Sequence, residues 1–191
     1  MKNIGILIFN QAEELDFVGP FEVFGMTAKL KPNSLQPFTV QQEGKEVKAV
    51  NGLRVIPDYS FQDCPKLDMI LIPGGIGSRT EMKSSQTLNF VKRAAESSDL
   101  ILSVCTGALI LASAGILDGR KATTHWQALN ELKAFPKVTV EHQRYIRDGK
   151  VITSAGVSAG IDMALYIIKE LYGSTFSADV AHRMEYVART E

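Results

Sequence analysis

Three short runs, "NIGILIF" (3–9), "LDMILIPGG" (67–75) and "LILSVC" (100–105), constrain this chain more than any other feature. Each is apolar almost without alternation, the pattern of a strand buried on both faces in a parallel sheet. Parallel neighbours need crossovers of a dozen or more residues, and helical stretches of that size separate the runs. The spacing predicts helices over 16–30, 80–96, 106–117, 157–173 and 174–188, and a short one over 125–132. Pro20 is expected in the first turn of its helix, where a missing N–H costs nothing, and Gly115 as the stop of the helix over 106–117. Residues 38–44 and 53–58 read as further strands, and 137–156 as strands turned by "RDGK", since Asp-Gly favours a hairpin. The expected architecture is α/β, a mainly parallel sheet with helices on both faces and a small antiparallel excursion near 137–153. Ligands bind such sheets outside the carboxyl ends of the strands. The loops 10–16, 73–78 and 104–107 should therefore share one functional edge.

Composition narrows the function classes. A chain of 191 residues is expected to form one domain over 1–191, with a substantial core. Lys plus Arg equals Asp plus Glu at 21 each, and no basic cluster or aromatic-basic stripe occurs. No net field therefore favours nucleic acid or an anionic membrane. The apolar run at the amino end is too short for a leader or a membrane span. Two cysteines, Cys64 and Cys105, without CxxC spacing, fit a cytoplasmic protein with both thiols free. No HExxH or Cys/His ligand spacing appears, so neither a metal nor another cofactor is expected.

Cys105 stands where an apolar strand meets a helix, in "SVCTGALIL" (103–111). A helix start offers unpaired N–H groups that favour a thiolate, and a tight turn lifts the side chain clear of the sheet. A cysteine there is also read, equally well, as a small buried hydrophobe. "PGGIGSR" (73–79) matches no phosphate-loop pattern. It is a tight turn, or else it brings the N–H groups of Gly74 and Gly75 beside Cys105 as part of an oxyanion site. Asp16 is either a helix cap or a carboxylate on the same edge, sharing a proton with the thiol. Glu13 and Glu14 are read as solvated, Cys64 as incidental, and His142 and His182 as surface residues. His125, at a predicted strand–helix junction, can approach the edge. "GVSAG" (156–160) matches G-x-S-x-G, but only His182 follows it, so Ser158 is read as a helix cap with packing glycines beside it.

Together "LDFVGPFEVF" (15–24), "LIPGG" (71–75), "SVCTGALILASAGILDGRKATTHW" (103–126) and "TSAGVSAGIDMAL" (153–165) resemble the ThiJ/PfpI superfamily over almost the whole chain. That resemblance implies a flavodoxin-like sandwich, like the class I glutamine amidotransferases. Protease-like members carry a histidine after the nucleophile, where this chain has Thr106. Deglycase and glyoxalase members carry a glutamate where it has Asp16. Asp16, Cys105 and Thr106 together match the isonitrile hydratase-like branch, with cousins in the ligand-sensing halves of AraC-type regulators. The tail "HRMEYVARTE" departs from that branch in lacking a proline-rich ending.

The resemblance implies a cofactor-independent hydratase acting on a small molecule, and a homodimer. Asp16 would supply or relay a proton, Cys105 would attack, and Thr106 with Asp16 would position water. The N–H groups of Gly75 and Thr106 would stabilise developing charge. Ile76, Phe17, Trp126 and His125 are candidates for lining the pocket. Two alternatives stand beside this reading: a redox or ligand sensor using the same cysteine, and a cysteine-dependent amidase or glyoxalase-type enzyme assisted by His125.

Overall fold

The buried apolar runs pair side by side, and the rest of the chain is arranged around them. A computed structural model describes residues 1–188. In chain order the elements are β1 (Lys2–Leu7), α1 (Glu14–Leu30), β2 (Leu35–Gln41), β3 (Val47–Lys48), β4 (Arg54–Val55), β5 (Tyr59–Ser60) and β6 (Met69–Ile72). There follow α2 (Ser78–Glu81), α3 (Ser85–Ser97), β7 (Leu100–Val104), α4 (Gly107–Ser113) and β8 (Lys121–Ala122). A 3-10 turn (Trp126–Ala128), α5 (Leu129–Lys133), β9 (Thr139–Val140), β10 (Tyr145–Asp148), β11 (Val151–Ser154), α6 (Ala159–Tyr172) and α7 (Ser174–Arg183) complete it.

Among the described residues the main sheet has seven strands in the order β10-β11-β7-β6-β1-β2-β5. Every neighbouring pair in it is parallel except β10 with β11, which is the hairpin at "RDGK". The order reverses at β1, which lies between β6 and β2, and a crevice opens beside such a reversal at the carboxyl ends. Helices α1, α6 and α7 pack together, while α4 packs with α2, α3 and α5. The sheet is therefore covered, and Ile4, Ile6, Leu71, Ile72 and Leu102 are fully buried. Among the described residues no helix is long and apolar enough to cross a membrane.

Several boundaries differ from the sequence reading. The helix expected over 80–96 is two, α2 and α3, broken before Ser84, whose hydroxyl accepts the Thr87 N–H and starts the second. Helix α1 begins at Glu14, so Pro20 lies inside it rather than in its first turn. Its missing N–H leaves the Asp16 carbonyl without the usual partner four residues on. The strand expected over 53–58 is only the two-residue β4, and β5 begins beyond it at Tyr59, with Pro57 between them. Helix α4 ends at Ser113, and Gly115, at φ 74°, closes the turn after it as expected.

Gly107 opens α4 directly beneath the end of β6. A Cβ there would lie 2.2 Å from the Ile72 carbonyl oxygen and 2.9 Å from that of Pro73. Both are backbone atoms held by the sheet and cannot swing aside. Gly107→Ala is expected to destabilise the fold by about 2 kcal/mol or more, as overpacking in a rigid core does. Urea denaturation checks this, and a loss below about 0.5 kcal/mol, the range of inert surface changes, would contradict the close approach.

Candidate active site

The three loops predicted to share an edge are bonded to one another. The Glu13 N–H donates to the Gly74 carbonyl at 3.0 Å, and the Gly77 N–H to the Gln11 carbonyl at 3.0 Å. The Gly74 N–H donates to Asp16 Oδ2 at 2.9 Å, and the Gly75 N–H to Thr106 Oγ1 at 3.0 Å. Ser78 Oγ lies within hydrogen-bond reach of Thr106 Oγ1 (2.9 Å) and the Gly75 carbonyl (2.7 Å). Only glycine fits at 74, because a Cβ would meet the Thr106 nitrogen at 2.4 Å. Gly75 also carries a φ of 111°, the left-handed side that glycine adopts freely.

Cys105 follows the last residue of β7 at φ 54°, an uncommon conformation for a side-chain-bearing residue. Its N–H lies 3.1 Å from both the Ser154 and the Ala155 carbonyl oxygens, and its own carbonyl accepts the Thr124 hydroxyl at 2.8 Å. These contacts hold a turn that costs about 1 kcal/mol or more, of the kind found where a side chain must be aimed at a site. The thiol is mostly buried, 6% of the residue being exposed.

Behind it lies Asp16, with no exposure at all. Its Oδ1 is buried without a hydrogen-bond partner. The Cys105 thiol and the Val157 N–H lie toward the carboxyl and favour its charged form without completing a bond to Oδ1. Burial dominates, and with the charge of Glu13 it pushes the Asp16 carboxyl up to about 7. Burial, then the charge of Asp16, likewise pushes the Cys105 thiol up to about 12, against the opposing pull of the Thr106 N–H and side chain. The thiolate expected from the helix start is thus not favoured at neutral pH. Helix α4 has 7 residues, and its dipole is outweighed by desolvation and the neighbouring carboxylate.

Over Cys105 opens a pocket of about 220 Å³. Of the residues named from sequence, Cys105, Thr106, Gly75, Ile76 and His125 line it, and Asp16 and Gly74 sit behind them. Both glycine N–H groups expected to meet developing charge are already engaged, that of Gly74 by Asp16 and that of Gly75 by Thr106. The Thr106 N–H instead faces the Cys105 sulfur. Phe17 is a core residue, 3% exposed, and does not line the pocket. Trp126 is 63% exposed, outside the lining, with its ring 5.7 Å from that of His125. His125 Nδ1 accepts the Gln127 N–H at 3.3 Å, which leaves Nε2 as the proton-bearing nitrogen of the neutral ring. Burial, aided by Arg79, lowers its pKa below the usual value. Gly156 allows the imidazole to come close, since a Cβ there would overlap the ring at 2.0 Å.

Sequence reasoning missed Glu13, Arg79, Gln127 and Val157, all on the pocket wall. Glu13, read as solvated, is half-buried there, because the hydrogen bond of its N–H to Gly74 draws it inward. Val157, at φ 48°, is a β-branched residue in left-handed backbone, which no sequence pattern announces. Ser158 makes no capping bond; its hydroxyl accepts from Arg144 at 3.3 Å, while Gly160 packs against Val104 and Pro20. Cys64 is half-buried elsewhere, its thiol pushed up to about 11 chiefly by burial, and His142 and His182 are exposed. Among the described residues no three of His, Cys, Asp or Glu gather to hold a metal ion.

The arrangement has known counterparts. Residues 2–170 match the model of the DJ-1/PfpI family. An isonitrile hydratase of Pseudomonas putida is 38% identical over 183 residues, which cover 96% of this chain and 78% of that protein. The HTH-type transcriptional regulator GbdR of Pseudomonas aeruginosa is 28% identical over 187 residues, covering 97% of this chain and 51% of the regulator. The crystal structure of a ThiJ/PfpI family protein from Pseudomonas syringae superposes with a TM-score of 0.90 at 31% identity, covering 99% of this chain and 76% of that one. With the family model spanning most of the chain and a relative above one-third identity along nearly all of it, the chain belongs to the DJ-1/PfpI family.

Proposed function

We propose that the chain, acting as one domain, is an isonitrile hydratase that converts R–N≡C to the formamide R–NH–CHO without a cofactor. The observation that carries this reading is the buried Asp16 carboxyl, raised to about 7, set against the thiol of Cys105. The pair has one proton to exchange near neutral pH. An isonitrile carbon must accept both a proton and a nucleophile, which is what such a pair supplies. The 38% identity to an enzyme of that name supports the substrate class.

The geometry supports the following steps. Ionised Asp16 takes the thiol proton onto its unpartnered Oδ1 as the sulfur closes on the isonitrile carbon. That proton then passes to the same carbon, giving the thioformimidate R–N=CH–S–Cys105. Water adds across the C=N bond, its oxygen to carbon and one proton to nitrogen. The C–S bond breaks, the second proton returns to sulfur through Asp16, and the formamide leaves. The Thr106 N–H, which faces the sulfur, stabilises charge on it in both halves, and the Thr106 hydroxyl, fixed by Gly75, orients the water.

A raised thiol also separates this reading from a peroxide sensor. Oxidation proceeds through the thiolate, which burial and Asp16 both disfavour. For an amidase the neutral His125 would have to take the thiol proton, and its lowered pKa makes it the weaker base. We further propose a homodimer, supported by Leu15 and Val18 on α1, which stay 37% and 42% exposed. Sedimentation would then report twice the chain mass, and a monomer at micromolar concentration would rule it out.

Asp16 must be ionised to act, so kcat/KM for cyclohexyl isocyanide is expected to rise with pH and level off above about 7. Cys105→Ala should abolish turnover, and Asp16→Asn should lower it at least about a hundredfold. Undiminished turnover in either variant refutes the mechanism. The same Asp16→Asn variant should be the more stable protein. Between pH 3.8 and about 7 the unfolded chain ionises this carboxyl and the folded one resists. Stability present below that window is therefore lost as pH rises through it, by on the order of 4 kcal/mol. Asparagine escapes that loss, so its advantage should be largest at pH 8 and vanish near pH 4, as thermal denaturation at both pH values would show.

A further inference from the structure

The pocket wall carries two charged side chains besides the reacting pair, and only one of them is compensated. Arg79 is clamped from outside by Glu131, Nε to Oε2 at 3.1 Å and Nη2 to Oε1 at 2.6 Å. The guanidinium therefore brings its own counter-charge. Glu13 has none. It stands at the cap position of α1, yet its side chain makes no capping bond. Among the described residues its carboxylate accepts one hydrogen bond, a long 3.5 Å approach from Asn51 Nδ2. Asn51 is committed instead to Glu14, by its N–H at 2.7 Å and its Nδ2 at 2.8 Å. Among the described residues Glu13 forms no ion pair, although it lines the same 220 Å³ pocket as Cys105.

The effect of that carboxylate reaches the reacting groups. Its charge raises Asp16 and acts to raise His125, with which it shares the pocket lining. His125 itself is held neutral near pH 7, its pKa lowered mainly by burial. The uncompensated charge facing an incoming molecule is thus negative, in a concave site where field lines are concentrated.

We propose that Glu13 sets the charge selectivity of this site, so that the pocket favours electrophiles carrying a cationic substituent, such as a protonated amine, over anionic ones. This rests on the proposed hydratase reading for the identity of the electrophile, an aminoalkyl isonitrile rather than an isocyanocarboxylate. The selectivity itself is a property of the pocket and is testable without turnover.

The test uses three methanethiosulfonate reagents of similar reach, bearing a trimethylammonium, a sulfonate or only a methyl group. Rates of labelling at Cys105 are followed by mass spectrometry of its peptide, which sets Cys64 aside, and each is divided by that reagent's rate with 2-mercaptoethanol. The normalised cation-to-anion ratio is expected to be on the order of tens at low salt and to fall as salt is added. Glu13→Gln should reduce it about tenfold, and Glu13→Asp should restore most of it. Glu13→Gln also lets Asp16 ionise more readily, which by itself would raise the ratio, so a fall is owed to the Glu13 charge. A ratio near one, a preference for the anion through Arg79, or a ratio unmoved in Glu13→Gln overturns the proposal. In parallel, kcat/KM is measured for an aminoalkyl isocyanide, cyclohexyl isocyanide and isocyanoacetate, where the order cation, neutral, anion is expected. Selective labelling without turnover of any isocyanide would refute the hydratase reading and leave the charge selectivity standing. Turnover of all three at equal efficiency would do the reverse.

Discussion

One hydrogen bond, from the Gly74 N–H to the Asp16 carboxyl at 2.9 Å, joins the loop after β6, the central strand of the sheet, to the first turn of α1 and decides the electrostatics of the site. It brings a carboxyl into a place with no solvent exposure. It satisfies one oxygen of that carboxyl and leaves the other free beside a thiol. The close approach exists only because position 74 has no Cβ, since any would strike the Thr106 nitrogen at 2.4 Å. Below this latch, β1, β6 and β7 run parallel and adjacent, so their three loops end on one edge. The sheet thus supplies the proximity, and the glycine supplies the last ångström.

The consequence is a thiol unlike the usual activated cysteine. Thiols at helix starts or beside histidines are made reactive by lowering their pKa. Here the thiol is raised to about 12 and the carboxyl to about 7, both first by burial and then by neighbouring negative charge. A substrate that needs only a thiolate gains little from such a pair. A substrate whose carbon takes up a proton as well as sulfur gains both from it. The same features weigh against peroxide sensing, among relatives as different as an isonitrile hydratase and an HTH-type transcriptional regulator. The raised carboxyl also costs folding stability as pH rises from about 4 to about 7, a loss of the kind common where a group is held desolvated.

The sheet was legible because burial on both faces leaves an unbroken apolar run, as in "ILI" at 70–72, that few other structures require. That Asp16 and Cys105 share one edge was legible for a related reason, since Cys105 ends one such run and Asp16 closes the loop after another. Finer placement was not. Phe17 follows Asp16 in sequence, but one step along a helix turns it through about 100° and into the core. Trp126 sits beside His125 and reads as a pocket wall, yet the 3-10 turn it opens points it outward. Arg79 and Glu131 are 52 residues apart, and no local pattern couples them. The height of the thiol pKa also escaped, because a strand–helix junction signals a dipole while the burial that outweighs it is tertiary.

The most direct test of the central claim, that Cys105 attacks while Asp16 carries its proton, is an acid quench within milliseconds of mixing the protein with cyclohexyl isocyanide, followed by intact mass spectrometry. The account predicts a single adduct heavier by one isocyanide, located on the Cys105 peptide, formed rapidly by the unaltered protein and scarcely at all by Asp16→Asn. No adduct while formamide is nevertheless released, or an adduct formed as fast without the carboxylate, would contradict it.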